Sequence, residues 1–457
     1  MIYHPFPSLS ESERLAHSAD IDFSRIVISP LKAIEASEIQ LPARLRVIDV
    51  DGQPAYIIHS NEKTLKVIGG GTGKELTPVT QERAKRIAGQ FLGQSPAEIM
   101  GPVDYDQWIV HQRFDAYRPF YRIHFHDQQH AVLYVSMRTG EVLQQTRGSE
   151  RAWNYIGAVA HWIYPTILRQ HWALWDQLVW LLSLFGVITV GAGLGIGVVR
   201  FRQARQSLRK RALSPFSGWL RWHHLLGLIS GVIVFTWMFS GWLSMDHGRL
   251  FSNPDPTAKQ IQDFQGVSLK HIAEDMTVSA LRTIGAAREL EFLAVNGQPL
   301  VLVKTTDTEL HAFTSDERSI GFDPFILTRD VIIQAVQRAW PGLGVQQVQQ
   351  ISVDDMYGHL REGSFPKDTL RVLLDDPAQT WVHIDLQTGL IVSVMDESRR
   401  TYRWLFNGLH SLDFPGLVEQ RPLWDVLILA LLALGFLFSL TGVVVGWKKV
   451  FQVGRCS

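Results

Sequence analysis

Seventeen histidines and one cysteine, Cys456, bound the coordination chemistry open to this chain of 457 residues. A lone cysteine allows neither an intrachain disulfide nor a cysteine-held metal or iron–sulfur site. Imidazole is the ligand that remains, and its positions are patterned. His161 and His410 stand 249 residues apart, each 14 residues ahead of a Trp-Asp pair, Trp175-Asp176 and Trp424-Asp425. His223 and His224 are adjacent, and His247 follows His223 by 24 residues, ~36 Å of helix at 1.5 Å per residue. Iron of a b-type haem takes two axial imidazoles, which helical bundles supply from facing helices. His161, His410 and His223 are the candidate iron ligands, with His224 and His247 as further candidates for holding the cofactor. A pseudo-twofold assembly would pair His161 with His410, and two stacked haems would make an electron path through a bilayer. The plain alternative is interfacial histidine, at ease between headgroups and water. Arg151 and Arg400 precede His161 and His410 by the same ten residues. They are candidates for haem propionates, although lipid phosphate or structural pairing is the simpler role.

Other polar patterns carry less. His124 and His126 share a strand face if the strand runs through both, since side chains alternate. His130 follows across a turn and His111 lies on a candidate neighbouring strand. This is a weak iron or siderophore contact and more simply a solvated face. Asp176 and Asp425 read as helix N-caps. Gly69-Gly-Gly-Thr-Gly-Lys74 resembles a phosphate loop, but Ile68 and Glu75 break the required pattern; a hairpin loop is the better reading. Gly191, Gly193, Gly195 and Gly197 fall in an apolar run, where small residues allow close helix packing. No Ser-His-Asp or HExxH arrangement is present.

Elements long enough to carry these residues across a membrane are visible. Charged residues are only 19%, and there are 15 Trp. Lys plus Arg and Asp plus Glu both total 44, so the net charge is zero and no field draws nucleic acid. Three runs approach the ~20 apolar residues a span needs: Gln177–Val199, Leu225–Met245 and Val426–Trp447, with Trp near their ends as in an aromatic belt. Arg200, Arg202, Arg205, Arg209, Lys210 and Arg211 between the first two runs, and Lys448, Lys449 and Arg455 after the third, predict cytoplasmic loops. The remaining segments, 1–176 and 246–422, are then extracytoplasmic. Residues 1–30 hold no apolar signal region. The expectation is that a first membrane helix precedes the given sequence, with residues 1–7 as its exit; a three-span protein is the rival.

The chain repeats itself. Thr139-Gly140, Arg151, His161 and Trp175-Asp176 recur as Thr388-Gly389, Arg400, His410 and Trp424-Asp425, all offset by 249; Val50-Asp-Gly-Gln-Pro54 recurs as Val295-Asn-Gly-Gln-Pro299 at 245. Each half reads as an α+β domain followed by a span. Helical periodicity covers Val79–Phe91 and Arg329–Trp340. Strands are predicted at 120–125, 131–136 and 141–145, then at 369–374, 380–386 and 390–394. Gly140 and Gly389 close turns, and Asp51-Gly52 and Asn296-Gly297 are hairpin signals. The resulting domains are 1–150, a first α+β domain; 151–176, membrane-proximal; 177–199, a span; 200–218, a basic loop; 219–245, a span; 246–399, a second α+β domain; 400–425, membrane-proximal; 426–447, a span; and 448–457, a tail.

Over essentially its whole length the chain resembles the PepSY-associated transmembrane proteins, a group of bacterial inner-membrane proteins often linked to iron. The marks are the strand–Thr-Gly–strand stretches Tyr134–Val142 and His383–Val392. To these add Arg221-Trp-His-His-Leu-Leu-Gly227 opening a span, and Ser240-Gly241 and Thr441-Gly442 near span ends. His223, four residues before Gly227, matches the family's helix-opening histidine best. The family's comparable helix ahead of the first external domain has no counterpart in the given sequence. The resemblance implies a membrane helical bundle with two related PepSY-like α+β domains on the periplasmic side. Some relatives are understood to be haem-bearing reductases of ferric siderophores; others have no assigned activity. The expected function is therefore electron transfer through haem b, one or two per chain, to a periplasmic acceptor such as a ferric siderophore. Quinol or a cytoplasmic reductant would be the donor, in the bacterial inner membrane. The alternative is a non-catalytic, membrane-anchored PepSY module that inhibits a peptidase or docks a partner.

Overall fold

Two turns with identical backbone handedness organise the strands. Asp51 and Gly52 (φ +58° and +80°) and Asn296 and Gly297 (φ +51° and +86°) adopt consecutive left-handed conformations, the geometry that matches strand twist in a two-residue hairpin. In the computed structural model, which describes residues 5–60, 64–206, 213–305, 308–315, 320–352, 354–360 and 363–453, they close β1 (Pro42–Asp49) on β2 (Pro54–Ser60), and later β8 on β9. Next come β3 (Leu65–Gly69), a helix Gln81–Leu92, then β4 (Glu98–Val103), β5 (Phe120–His124), β6 (Val132–Ser136) and β7 (Val142–Thr146). After two long helices the pattern resumes with β8 (Glu289–Val295), β9 (Gln298–Lys304), β10 (Thr308–Ser315), β11 (Ile320–Pro324), a helix Arg329–Ala339 and β12 (Val345–Gln350). The short pair β13 (His359–Leu360) and β14 (Gly363–Ser364) precedes β15 (Thr369–Leu374), β16 (Trp381–Asp385) and β17 (Ile391–Met395). Residues 1–4, Arg209, Lys210 and Arg211 of the basic loop, and Arg455 and Cys456 lie outside the described residues.

The chain divides into two compact units. The first comprises residues 1–172, 255–351 and 366–394. Its centre is a seven-stranded antiparallel sheet, order β11-β10-β9-β8-β1-β2-β3. Strands from both halves of the chain thus share one sheet, joined where Leu45 faces Phe292 and Val47 faces Leu290. Along β1 the side chains alternate. Leu45 and Val47 enter a core shared with Leu290 and Phe292 and with the helices Pro30–Ser37 and Leu269–Asp275. Ile48 and Val50 belong to a second core with the Gln81–Leu92 helix and the sheet β4-β5-β6-β7. Leu293 and Val295 belong to a third, with the Arg329–Ala339 helix and the sheet β12-β15-β16-β17.

Between the second and third cores sits a buried charge network. Arg46, 2% exposed, donates to both carboxylate oxygens of Glu141 (2.8 and 3.1 Å) and to Glu289 (3.1 Å). Arg14 reaches Glu289 at 2.7 Å, and Arg44 grips Glu291 with two nitrogens. Lys304 bridges Glu289, Glu291 and Glu11. Burial alone would push Glu291 up. The Arg44 and Lys304 charges outweigh it and hold this carboxyl at about 2; Arg46, Arg14 and Lys304 hold Glu289 lower still.

The second unit comprises residues 173–254, 352–365 and 395–457. It is built on three helices long and apolar enough to cross a membrane, Trp172–Gln206, Gly218–Ser244 and Leu423–Val453. Large apolar side chains such as Phe185, Ile188, Val232 and Phe436 are exposed along them, as expected where lipid is the solvent. Small residues bring the helices together. Leu194 sits where a Cβ on Gly231 would stand, Met238 packs over Gly186, and Phe438 over Gly227.

Candidate functional site

Both halves approach the membrane helices through the same unusual piece of backbone. The helix Gly148–Asn154 runs into a π-helical turn, Tyr155–Val159, and the helix Glu397–Arg403 into a second, Trp404–Gly408. All boundaries differ by 249 residues. The non-glycine residues that end the two segments, Ile163 and Leu412, both take left-handed φ, +51° and +52°. A single π-turn re-aims the residues after it, and such turns gather at functional sites. Here the residues after it are His161 and His410.

Arg151 and Arg400 anchor these segments. Arg151 Nη1 donates to the Thr146 carbonyl (3.2 Å) and hydroxyl (2.9 Å), and its Nη2 to the His130 carbonyl. Arg400 Nη1 donates to the Met395 carbonyl at 3.1 Å. Each guanidinium thus reaches back five residues to the end of the last strand, and Arg400 is buried.

His161 belongs to the first unit and is exposed. His410 belongs to the second, where it seats against the last turns of the Gly218–Ser244 helix. Its Nδ1 is 3.0 Å from Ser240 Oγ, its ring stacks on Phe406, and its Cε1 is 3.5 Å from the place a Cβ would occupy on Gly241. His223, in the second turn of the same helix, makes the same contacts with the third long helix. Its Nδ1 is 3.1 Å from Thr441 Oγ1, its ring stacks on Phe438, and its Cε1 is 3.2 Å from a Cβ position on Gly442. A hydroxyl-bearing residue followed by glycine therefore receives each imidazole.

Each hydroxyl gives the neighbouring Nδ1 a partner. Thr441 Oγ1 donates to the Phe438 carbonyl (2.7 Å) and Ser240 Oγ to the Trp237 carbonyl (3.2 Å). Each hydroxyl has one hydrogen. Where that hydrogen goes to the carbonyl, the oxygen is able to accept from Nδ1–H, the tautomer in which Nε2 of His223 and His410 carries the lone pair. His224 is arranged the other way. It is 8% exposed; its Nε2 donates to the Gly197 carbonyl at 2.9 Å, and its Nδ1 has no hydrogen-bond partner among the described residues. His247, beyond the helix end, pairs with Asp176 at 3.4 Å.

Several sequence expectations shift. Asp176 is the fifth residue of its helix, not an N-cap, and it faces His247; Asp425 is in the first turn of the third long helix and pairs with Arg421. Strand β5 stops at His124, so His126 lies beyond it. His111 instead caps the turn Gln112–Tyr117, its Nδ1 accepting from the Arg113 amide. Among the described residues no group of three or more His, Cys, Asp or Glu side chains is placed to hold a metal ion. The Gly69–Lys74 run forms a turn that returns Glu75 beside Ile68. No known protein family, curated protein or solved structure matches the chain.

Proposed function

We propose that this chain is a duplicated membrane protein of the PepSY-associated kind that holds b-type haem and passes electrons to an extracytoplasmic acceptor such as a ferric siderophore. The duplication is supported by the paired π-turns, by matching hairpins at Asp51-Gly52 and Asn296-Gly297, and by two four-stranded sheets with parallel histories in the chain. The basic residues Arg200, Arg202, Arg205, Lys448 and Lys449 favour an inner-membrane orientation with both α+β halves on the periplasmic side.

The haem reading is supported by the matched settings of His223 and His410. A metal-bound imidazole ligates through one nitrogen and donates the other N–H to an acceptor, which fixes the ring and raises its basicity. Both histidines place Nδ1 beside a hydroxyl that itself reaches a backbone carbonyl, an arrangement suited to donating Nδ1–H and ligating through Nε2. The donor set therefore fits axial ligation of haem iron. Bound haem would supply one-electron chemistry. This chain would orient the two imidazoles, with glycine at positions 442 and 241 leaving room beside each ring. His161, the counterpart of His410, would be the third ligand.

The test is visible absorption of the protein purified in detergent, oxidised and then reduced with dithionite. A sharp reduced α-band, reduced by half or more in His223→Ala and His410→Ala, is expected. A colourless protein after expression with haem supplied overturns this reading in favour of an anchored binding module.

A further inference from the structure

The turn after the Gly218–Ser244 helix brings His247 back to the Trp172–Gln206 helix, where it meets Asp176 at 3.4 Å. One turn on, the Trp180 ring lies tilted against the His247 ring at 4.8 Å and 5.9 Å from that of Trp242. Trp242 Nε1 is buried with no hydrogen-bond partner among the described residues, an N–H that a ligand oxygen would satisfy. Below Trp242 the aromatic row continues along the helix through Phe239 and then Phe235, at centroid steps of 6.2 and 6.0 Å. The His247 and Asp176 side chains are 36% and 22% exposed, so the pair is reachable.

We propose that this corner binds a lipid-soluble quinol. The pieces are a proton acceptor backed by a carboxylate, a hydrogen-bond donor without a partner, two indole faces, and an apolar aromatic row for a prenyl tail. A quinol is flat, presents a hydroxyl at each end of its ring, and resides in the bilayer. An acyl chain offers nothing to His247 or Trp242, and Asp176 repels an anionic headgroup. One quinol hydroxyl would donate to His247, with Asp176 balancing the imidazolium, and the opposite oxygen would accept from Trp242 Nε1. Oxidation to the quinone releases two protons and two electrons. The first proton would go to His247 and the second to the adjoining aqueous side, and the two electrons would leave singly, reducing two ferric equivalents of the proposed haem. The inference rests on the electron-transfer reading, for which it names the reductant, yet the binding itself requires no haem.

The experiment is photolabelling of the full chain in lipid nanodiscs with an azido-quinone, with the labelled peptides mapped by mass spectrometry. Expected are labels confined to residues 173–186 and 235–249, removed by excess decylubiquinol and lowered ~10-fold in His247→Ala. Should His247→Ala aggregate, Trp242→Phe keeps the ring, removes only the N–H and is expected to lower competed labelling similarly. Label spread along all three helices, label that decylubiquinol does not remove, or competed label unchanged in the soluble variants overturns the site. A colourless protein that still labels here would refute the haem reading and leave this one standing.

Discussion

The imidazole of His223 lies face to face with the ring of Phe438, 4.6 Å between centroids and 9° between planes, while its Nδ1 points at the Thr441 hydroxyl. Stacking sets the ring plane, and the hydroxyl gives Nδ1 a hydrogen-bond partner. Thr441→Val keeps the shape and removes the acceptor. On the proposed haem reading, the expected outcome is a loss of haem affinity of ~10–100-fold, read as the rate of haem transfer to a scavenger protein. Ser240→Ala should do the same for His410. Gly442→Ala places a methyl 3.2 Å from His223 Cε1, so it should broaden the reduced α-band even where haem is retained.

Much of the architecture is legible from residues alone, for physical reasons. A membrane helix must satisfy its own backbone, and the three charge-free runs correspond to the three long helices. Val79–Phe91 and Arg329–Trp340, read as helices from periodicity, are observed as Gln81–Leu92 and Arg329–Ala339. The hidden parts are those where partners are distant in sequence. Arg44, Arg46, Glu289 and Glu291 meet only when β1 pairs with β8, which buries Arg46 and both glutamates and leaves Arg44 partly exposed. The π-turns have no periodic signature, and only their repetition at the same offset marks them. Ser240-Gly241 and Thr441-Gly442 are visible as pairs of residues, but their role as seats for imidazoles depends on helix packing.

Acid should loosen the first unit in two stages of the same sign. Burial pushes His59 down to about 4, with Arg46 and Arg44 adding to the shift. Between pH 6.5 and 4 the unfolded chain takes up a proton that folded His59 refuses, so stability falls with pH by ~1–3 kcal/mol. Glu291 sits at about 2 and Glu289 lower. From pH 4.5 downward the unfolded carboxylates bind protons first, and stability falls again. Thermal unfolding of the full chain in detergent across pH 3–8 should show both limbs. His59→Gln should flatten the upper limb alone; a pH-independent transition above pH 4.5 in the unaltered protein would contradict it.

Gly140 and Gly389 give a matched pair of backbone tests. Both close the turn after a strand in a left-handed conformation, at φ +73° and +69°. A Cβ on Gly140 would stand 2.8 Å from Val50 Cγ1, and one on Gly389 3.0 Å from Val295 Cγ2. Val50 and Val295 precede the two hairpin turns, so the same glycine packs on the same valine in each half. Alanine at either position therefore meets both backbone strain and overlap, and the loss should be ~2–3 kcal/mol. Gly93 is the control, with φ +65° and nothing within 4 Å of its Cβ position. Gly93→Ala carries only the conformational cost, ~1 kcal/mol. Thermal unfolding should rank Gly93→Ala clearly above Gly140→Ala and Gly389→Ala, with the latter two close together. Unequal losses at 140 and 389 would mean that the two turns, despite their shared geometry, are not supported by equivalent packing.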